Sequence, residues 1–211
     1  MRRSGGLRPA GRSAERFRPR RDGDVYDRGP ERLRQGTPAM VKLFAVIVGG
    51  EVAGCHVELH DTRFVAGERI EDCYEALKAQ WWGTPESLHL DAWGPLDWAD
   101  GFRIEIFNEA ADQDQAQRLW HLNLGGYDPA QFEELHRNLF MVAPDWRSAK
   151  TRALAEVKDW TSPHKDYALD VERAIDVGAS LGEGWRIRLT PSAEPQPFIF
   201  EARYVPIGRL K

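Results

Sequence analysis

The apolar positions of this chain fall into two runs of the same design. Residues 43–48 and 119–124 are short stretches of strand length, the first continuous and the second alternating, and each is followed by Gly-Gly (Gly49-Gly50 and Gly125-Gly126). A short helix is expected after each pair. In the second run Asp128 suits an N-cap, Pro129 the first helical position and Gln131 a capping box. Residues 63–66 and 139–143 read as second strands. Ile70, Cys73, Leu77 and Trp81 then recur at three-to-four spacing, as do Trp146, Ala149, Ala153, Val157 and Trp160, which predicts a main helix in each half. Each half should close with a hairpin-like pair, 87–98 with 102–107 and 168–177 with 185–189, turned at Asp100-Gly101 and at Gly182-Glu183-Gly184. A last strand at 198–205 has no counterpart in the first half and is expected either along an edge or across to the other half.

Displacing the sequence by 76 positions aligns 43–64 with 119–140 without a gap. Seven identities fall in those 22 positions: Leu43/Leu119, Gly49/Gly125, Gly50/Gly126, Glu58/Glu134, Leu59/Leu135, His60/His136 and Phe64/Phe140. About one or two would arise from composition alone. Small shifts extend the match to His89-Leu90-Asp91 with His164-Lys165-Asp166, and to Gly101-Phe102-Arg103-Ile104 with Gly184-Trp185-Arg186-Ile187. The expected fold class is α+β, two tandem repeats of one unit (strand, short helix, strand, main helix, two strands) with pseudo-two-fold symmetry plus a C-terminal strand. A β-grasp-like or a ferredoxin-like sheet per copy would satisfy the pattern. The expected organisation is a leader at 1–39, repeat 1 at 40–107, a linker at 108–117, and repeat 2 with the extra strand at 118–211.

Charge changes the picture at the N-terminus. Residues 1–39 hold eleven arginines, no lysine and five acids, a surplus of six positive charges; the whole chain is at −4, so the remainder stands at −10. So polar a segment buries too little surface to offset its chain entropy, so disorder is expected. Met40 opens a natural first strand, and the expectation is that it is the physiological start and the leader an appendage foreign to the fold. Nucleic acid becomes a partner only if that leader is native. No apolar run approaches the length of a membrane span, and no apolar stretch follows the arginines as a signal peptide requires. Cys55 and Cys73 are too few for a disulfide framework and lack metal-ligand spacing, which makes a reducing cytoplasm the expected compartment.

The candidate chemistry is a repeated polar set: Glu58, His60, His89 and Asp91 in the first half, Glu134, His136, His164 and Asp166 in the second. Each histidine has an acid two residues away. On extended chain those pairs share a face, where imidazole and carboxylate could hold a divalent metal or act in acid–base chemistry. The structural alternative, a histidine capping a helix or bonding a buried carboxylate, stands first because no His-Glu-x-x-His signature is present. The glycine pairs lack the spacing of a P-loop or dinucleotide fingerprint, and read as a turn or a point of close packing. No cofactor is predicted. Trp81, Trp82, Trp146 and Trp160 are expected in the core, Trp93 and Trp98 in strand packing.

Taken together, Leu43-Phe-Ala-Val-Ile-Val-Gly-Gly, Glu58-Leu-His-Asp-x-x-Phe, His89-Leu-Asp-Ala-Trp and Leu122-Asn-Leu-Gly-Gly-Tyr resemble an uncharacterised bacterial family, the domain of unknown function 1543, whose members carry one or two copies of the domain. The resemblance covers nearly everything from Met40 onward and implies no activity or catalytic residue. The leading expectation is a small, acidic, cytoplasmic, non-catalytic module that binds an unknown protein or small ligand and self-associates through an edge strand. The alternative is a metal-dependent, hydrolase-like enzyme built on the matched histidines and acids.

Overall fold

The computed structural model describes residues 40–108, 116–128, 130–156, 169–182 and 184–208. Within them the protein is mixed α and β, mostly antiparallel sheet with few helices. In the first half, β1 (Lys42–Gly50) is central and pairs antiparallel with β2 (Leu59–Gly67) on one side and with β3 (His89–Pro95) on the other. A 3₁₀ turn (Ile70–Cys73) and the helix α1 (Tyr74–Gln80) connect β2 to β3. After a two-residue strand, β4 (Trp98–Ala99), comes β5 (Phe102–Asn108). In the second half β6 (Arg118–Tyr127) lies between β7 (Glu134–Ala143) and β8 (Leu169–Asp176), again antiparallel to both, with α2 (Trp146–Glu156) following β7. A one-turn helix α3 (Val177–Ser180) leads toward β9 (Trp185–Pro191), and β10 (Glu201–Pro206) is the last strand among the described residues. The order strand, strand, helix, strand in each half differs from that of a ferredoxin-like unit.

Strand alternation explains the layers. Phe44, Val46 and Val48 point to one face of β1 and form a core with Ile70, Cys73 and Leu77 of the helical segment. Leu43 and Ala45 point to the other face and share a second core with Phe64, Leu119 and Val142, so the inner faces of the two sheets meet there. Trp120, Leu122 and Leu124 alternate outward to a third core under α2, where Ala149 and Ala153 allow the helix to approach closely. The arrangement is helix, sheet, sheet, helix. Asp145 starts α2 by accepting from the Ser148 amide at 2.8 Å, a bond that holds its carboxyl below the usual carboxylate range.

Several expectations need correction. No helix follows either glycine pair among the described residues: 51–58 are turns and bends, and Asp128 caps a turn, its Oδ1 accepting from the Ala130 amide and its carbonyl from the Gln131 amide. The glycine pairs lie inside the strands rather than after them: β1 ends on Gly50, and β6 ends one residue past Gly126, at Tyr127. The second strands begin earlier than expected, at Leu59 and Glu134. The closing hairpins do not form within each half. Pro95 has no N–H to extend a ladder and ends β3, and the Asp100-Gly101 turn, with φ of 50° and 82°, closes only the small β4–β5 hairpin. β5 pairs instead with β9, from Phe102↔Pro191 to Asn108↔Trp185. β10 crosses to the first half and edges its sheet beside β3, which combines the two expected placements. Trp82 and Trp146 are exposed rather than core, because each falls at a helix end; Trp81 is half-buried and stacks on Trp82. Trp93 is buried, as strand packing requires. Val157 and Trp160 lie outside the described residues, as do the leader at 1–39 and positions 109–115 of the expected linker.

Candidate metal centre in the first half

The site lies where three strands of the first sheet meet Gly49. Across β1, Gly49 is opposite His60 on one side and His89 on the other. A β-bulge then sets the fourth residue. Leu90 pairs with Val48 and Ala92 with Ile47, which leaves Asp91 as the extra residue of β3. The bulge is visible in the packing too: Leu90 and Trp93, three positions apart, enter the same core. Glu58 precedes β2, and on extended chain it shares His60's face.

These four side chains converge. His60 Nε2 is 3.5 Å from Glu58 Oε1 and 3.1 Å from Asp91 Oδ2; His89 Nε2 is 3.6 Å from Glu58 Oε2 and 3.5 Å from Asp91 Oδ1. Ligand atoms of Glu58, His60 and His89 all lie within 4.8 Å of one another. A zinc ion with bonds of about 2.0–2.1 Å in a tetrahedron spaces its ligand atoms roughly 3.3 Å apart. The four measured separations bracket that value.

The protonation of His89 follows from its partners. Its Nδ1 is 2.9 Å from the Ser87 carbonyl, which can only accept, so Nδ1 carries the hydrogen. Nε2 is left facing two carboxylates, and it is buried without a hydrogen-bond partner. Asp91 Oδ2 is likewise buried and unpartnered, since its approach to His60 Nε2 is close but not aligned as a hydrogen bond. A lone pair held against carboxylate oxygens, away from water, calls for a cation or a proton between them. An N–H of the other ring nitrogen donated to a backbone carbonyl is the usual outer-shell support of a metal-binding histidine. That support is itself pinned: Ser87 Oγ donates to the Thr84 carbonyl at 2.7 Å and accepts from the Glu51 amide at 2.8 Å.

His89 is 2% exposed, with the Tyr204 ring of β10 lying 4.4 Å from its own. Glu58 and His60 are about half exposed, so the cluster opens to solvent on their side. Gly49 forms its floor. A Cβ there would sit 2.6 Å from His89 Nε2 and 2.9 Å from Asp91 Oδ2. Gly50 is required for another reason, since its Cβ would meet the Trp81 ring at 2.7 Å and Ser87 Oγ at 2.8 Å. Of the two expected explanations for the pair, close packing is the one seen here.

The second half is built differently. His136 Nε2 is 3.7 Å from Glu134 Oε2, while its Nδ1 is 3.2 Å from Asn123 Oδ1. Asn138 Oδ1 accepts from Asn123 Nδ2 at 2.9 Å and from the buried His121 Nε2 at 3.0 Å. His164 and Asp166 lie outside the described residues. In the register of β8, Asp170 is opposite Gly125, the place His89 takes opposite Gly49, and Glu172 is the extra residue of a bulge, the place of Asp91. Gly125 and Gly126 lie within β6 as Gly49 and Gly50 lie within β1. The sequence singles out Glu58, His60, His89 and Asp91, which the structure brings together, but not the places of Gly49, Ser87 and Tyr204 beside them. The Gly-Gly identity at matched positions was the available signal for the first.

Comparison with known proteins gives a family without an activity. Residues 55–106, which include all four converging side chains, match the model of a domain of unknown function, DUF1543. A search of the curated proteins matches none. Among solved structures the fold is similar to that of the protein Il1583 from Idiomarina loihiensis, with a TM-score of 0.61 and 31% sequence identity over 79% of this chain and 97% of that one. The chain belongs to the DUF1543 family.

Proposed function

We propose that the protein binds a divalent cation of the zinc type through Glu58, His60 and His89, with Asp91 as the fourth group facing the same point. The observation that carries this reading is the buried, unpartnered Nε2 of His89, whose other ring nitrogen is fixed as a donor to the Ser87 carbonyl. Two imidazoles with two carboxylates form a donor set that suits zinc, and three ligands plus an approachable side are the pattern of a site that receives an external ligand. A cation there would polarise a bound carbonyl or lower the proton affinity of a bound water, and Asp91 stands within reach to take a proton. Metal analysis of the purified full chain tests this: stoichiometric zinc that disappears in His60→Ala, His89→Ala protein supports it, and metal-free protein that takes up none on titration removes it.

The two halves are, on this reading, copies of one ancestral unit. Each has its central strand between the same two neighbours, with a bulge at the same register position. The pairing of β5 with β9 is reciprocal. Ile104 aligns with Ile187 and Ile106 with Leu189, and Ile104 pairs with Leu189 while Ile106 pairs with Ile187, as a local two-fold demands. The aligned rings Phe64 and Phe140 touch, 6.2 Å apart, where such an axis would pass.

A second reading, a non-catalytic module that self-associates, is favoured by one feature. β10 is an edge strand, and Ile199, Phe200 and Tyr204 on and before it are large, apolar and exposed. Sedimentation of the full chain would decide it: a dimer that a Phe200→Glu, Tyr204→Glu variant dissociates supports the idea, a concentration-independent monomer ends it. No helix among the described residues is long and apolar enough to cross a membrane. A cytoplasmic location belongs to the same proposal, supported by two free cysteines, Cys55 exposed and Cys73 buried.

A further inference from the structure

The cation position adjoins an apolar cleft between the two sheets. Ile47 is two residues from Gly49 on β1, and Thr62 two residues from His60 on β2, so both stand on the site's face of the sheet, one strand repeat of about 6–7 Å away. They form one wall of a cleft of about 180 Å³. Asn138 and Phe140 of the second half form the opposite wall, and Phe198 and Phe200, in the segment leading to β10, close it. That segment crosses β3 at Gly94, where any Cβ would lie 2.4 Å from the Ile199 carbonyl. The Phe198 ring is in edge contact with Phe140 at 5.5 Å and stacks on Phe200 at 5.8 Å.

We infer that this cleft is the specificity pocket of the metal centre, and that its ligand is a small organic molecule with an oxygen-donor head group for the cation and one ring-sized or branched-alkyl substituent. The inference rests on the cation reading above and adds the ligand's class. Three observations carry it. The volume is that of one such group: an apolar cavity of about 150 Å³ accommodates benzene. The lining is predominantly aromatic and aliphatic with two polar residues, Thr62 and Asn138, which is the composition of a small-molecule pocket rather than of a sheet core. Finally, the cleft and the open side of the cation cluster lie on one face of the same strands, one strand repeat apart, a separation that a single small molecule can span. A cation reached only from bulk solvent would select for the head group alone; one at the mouth of this cleft selects for the substituent as well.

The test uses two probes that chelate zinc through the same oxygens, benzohydroxamate and acetohydroxamate, titrated into the zinc-loaded full chain. Benzohydroxamate is expected to bind at least tenfold more tightly. Ile47→Trp, which fills the cleft, and Phe200→Ala, at a half-exposed position, should each narrow the ratio with zinc stoichiometry unchanged. Should Ile47→Trp not fold, Phe200→Ala decides. Equal affinity for the two probes, or a preference that neither variant alters, overturns the cleft while leaving the cation site standing. If no zinc is bound at all, the cation reading falls and the cleft's assignment with it.

Discussion

Gly49 stands between His60 and His89, paired across β1 with both, so that one α-carbon is the floor under two imidazoles. Its missing side chain is what lets them converge. In Gly49→Ala the new methyl would lie 2.6 Å from His89 Nε2 and 2.8 Å from His60 Cδ2, and at least one ring must move. We expect a loss of at least tenfold in zinc affinity, read by competition with a chromophoric chelator, together with about 1–3 kcal/mol of overpacking cost in denaturant unfolding. Unchanged zinc affinity in this variant would show that the floor is not part of the site.

Asp100 joins the two halves. From the left-handed turn after β4 it accepts from the Val142 amide of β7 at 2.7 Å and from the Arg152 guanidinium of α2, which also donates to the Val142 carbonyl at 2.8 Å. The hydrogen bond that Arg152 donates to Asp100 raises the pKa of its guanidinium. Asp100→Asn keeps the tolerance for positive φ and removes the charge. We expect a loss of about 1–3 kcal/mol in chemical denaturation, and non-additivity of about 0.5–3 kcal/mol with Arg152→Ala. Additive effects would mean that the pair is not energetically coupled.

His121 makes stability depend on pH. Burial against Phe64 and Phe140 lowers its pKa below the ordinary 6.5, opposed more weakly by its bond to Asn138. The unfolded chain therefore binds a proton that the folded chain refuses. The stability present above pH 6.5 is lost as pH falls below it toward the depressed folded value. Unfolding free energies measured from pH 7.5 to 5 should decline more steeply in the parent than in His121→Leu; identical slopes would contradict this account.

The contact between the two sheets predicts where the core is least forgiving. Phe64 is buried and touches both Phe140 and His121. Truncating it to alanine removes the ring at the contact between the sheets. We expect Phe64→Ala to cost about 3–5 kcal/mol, while Phe132→Ala, at a fully exposed ring, changes stability by less than about 0.5 kcal/mol. Similar losses for both would sink the two-sheet core.

Local pattern made much of this legible. The continuous apolar run at 43–48 and the alternating one at 119–124 mark two central strands, because run length and apolar pattern are properties of neighbouring residues. The three-to-four spacing of Ile70, Cys73 and Leu77 likewise places the helical segment, and all three are buried. The four polar residues of the first half were legible through their matched positions and their i, i+2 spacing. Hidden features depend on partners distant in sequence. Nothing near Phe102 or Trp185 tells that their strands pair with each other rather than with their predecessors. The bulge at Asp91 was hidden because one extra residue changes pairing without changing the apolar pattern. Trp82 and Trp146 misled because bulk suggests burial, whereas a helix end is often at the surface.

The most direct test is the zinc content of the full chain, determined by plasma mass spectrometry after dialysis against equimolar zinc and protein-free buffer. A single zinc ion per chain is expected, retained in His136→Ala and lost in His60→Ala, His89→Ala. Protein carrying no zinc above the buffer, or a double variant that keeps its ion, would contradict it.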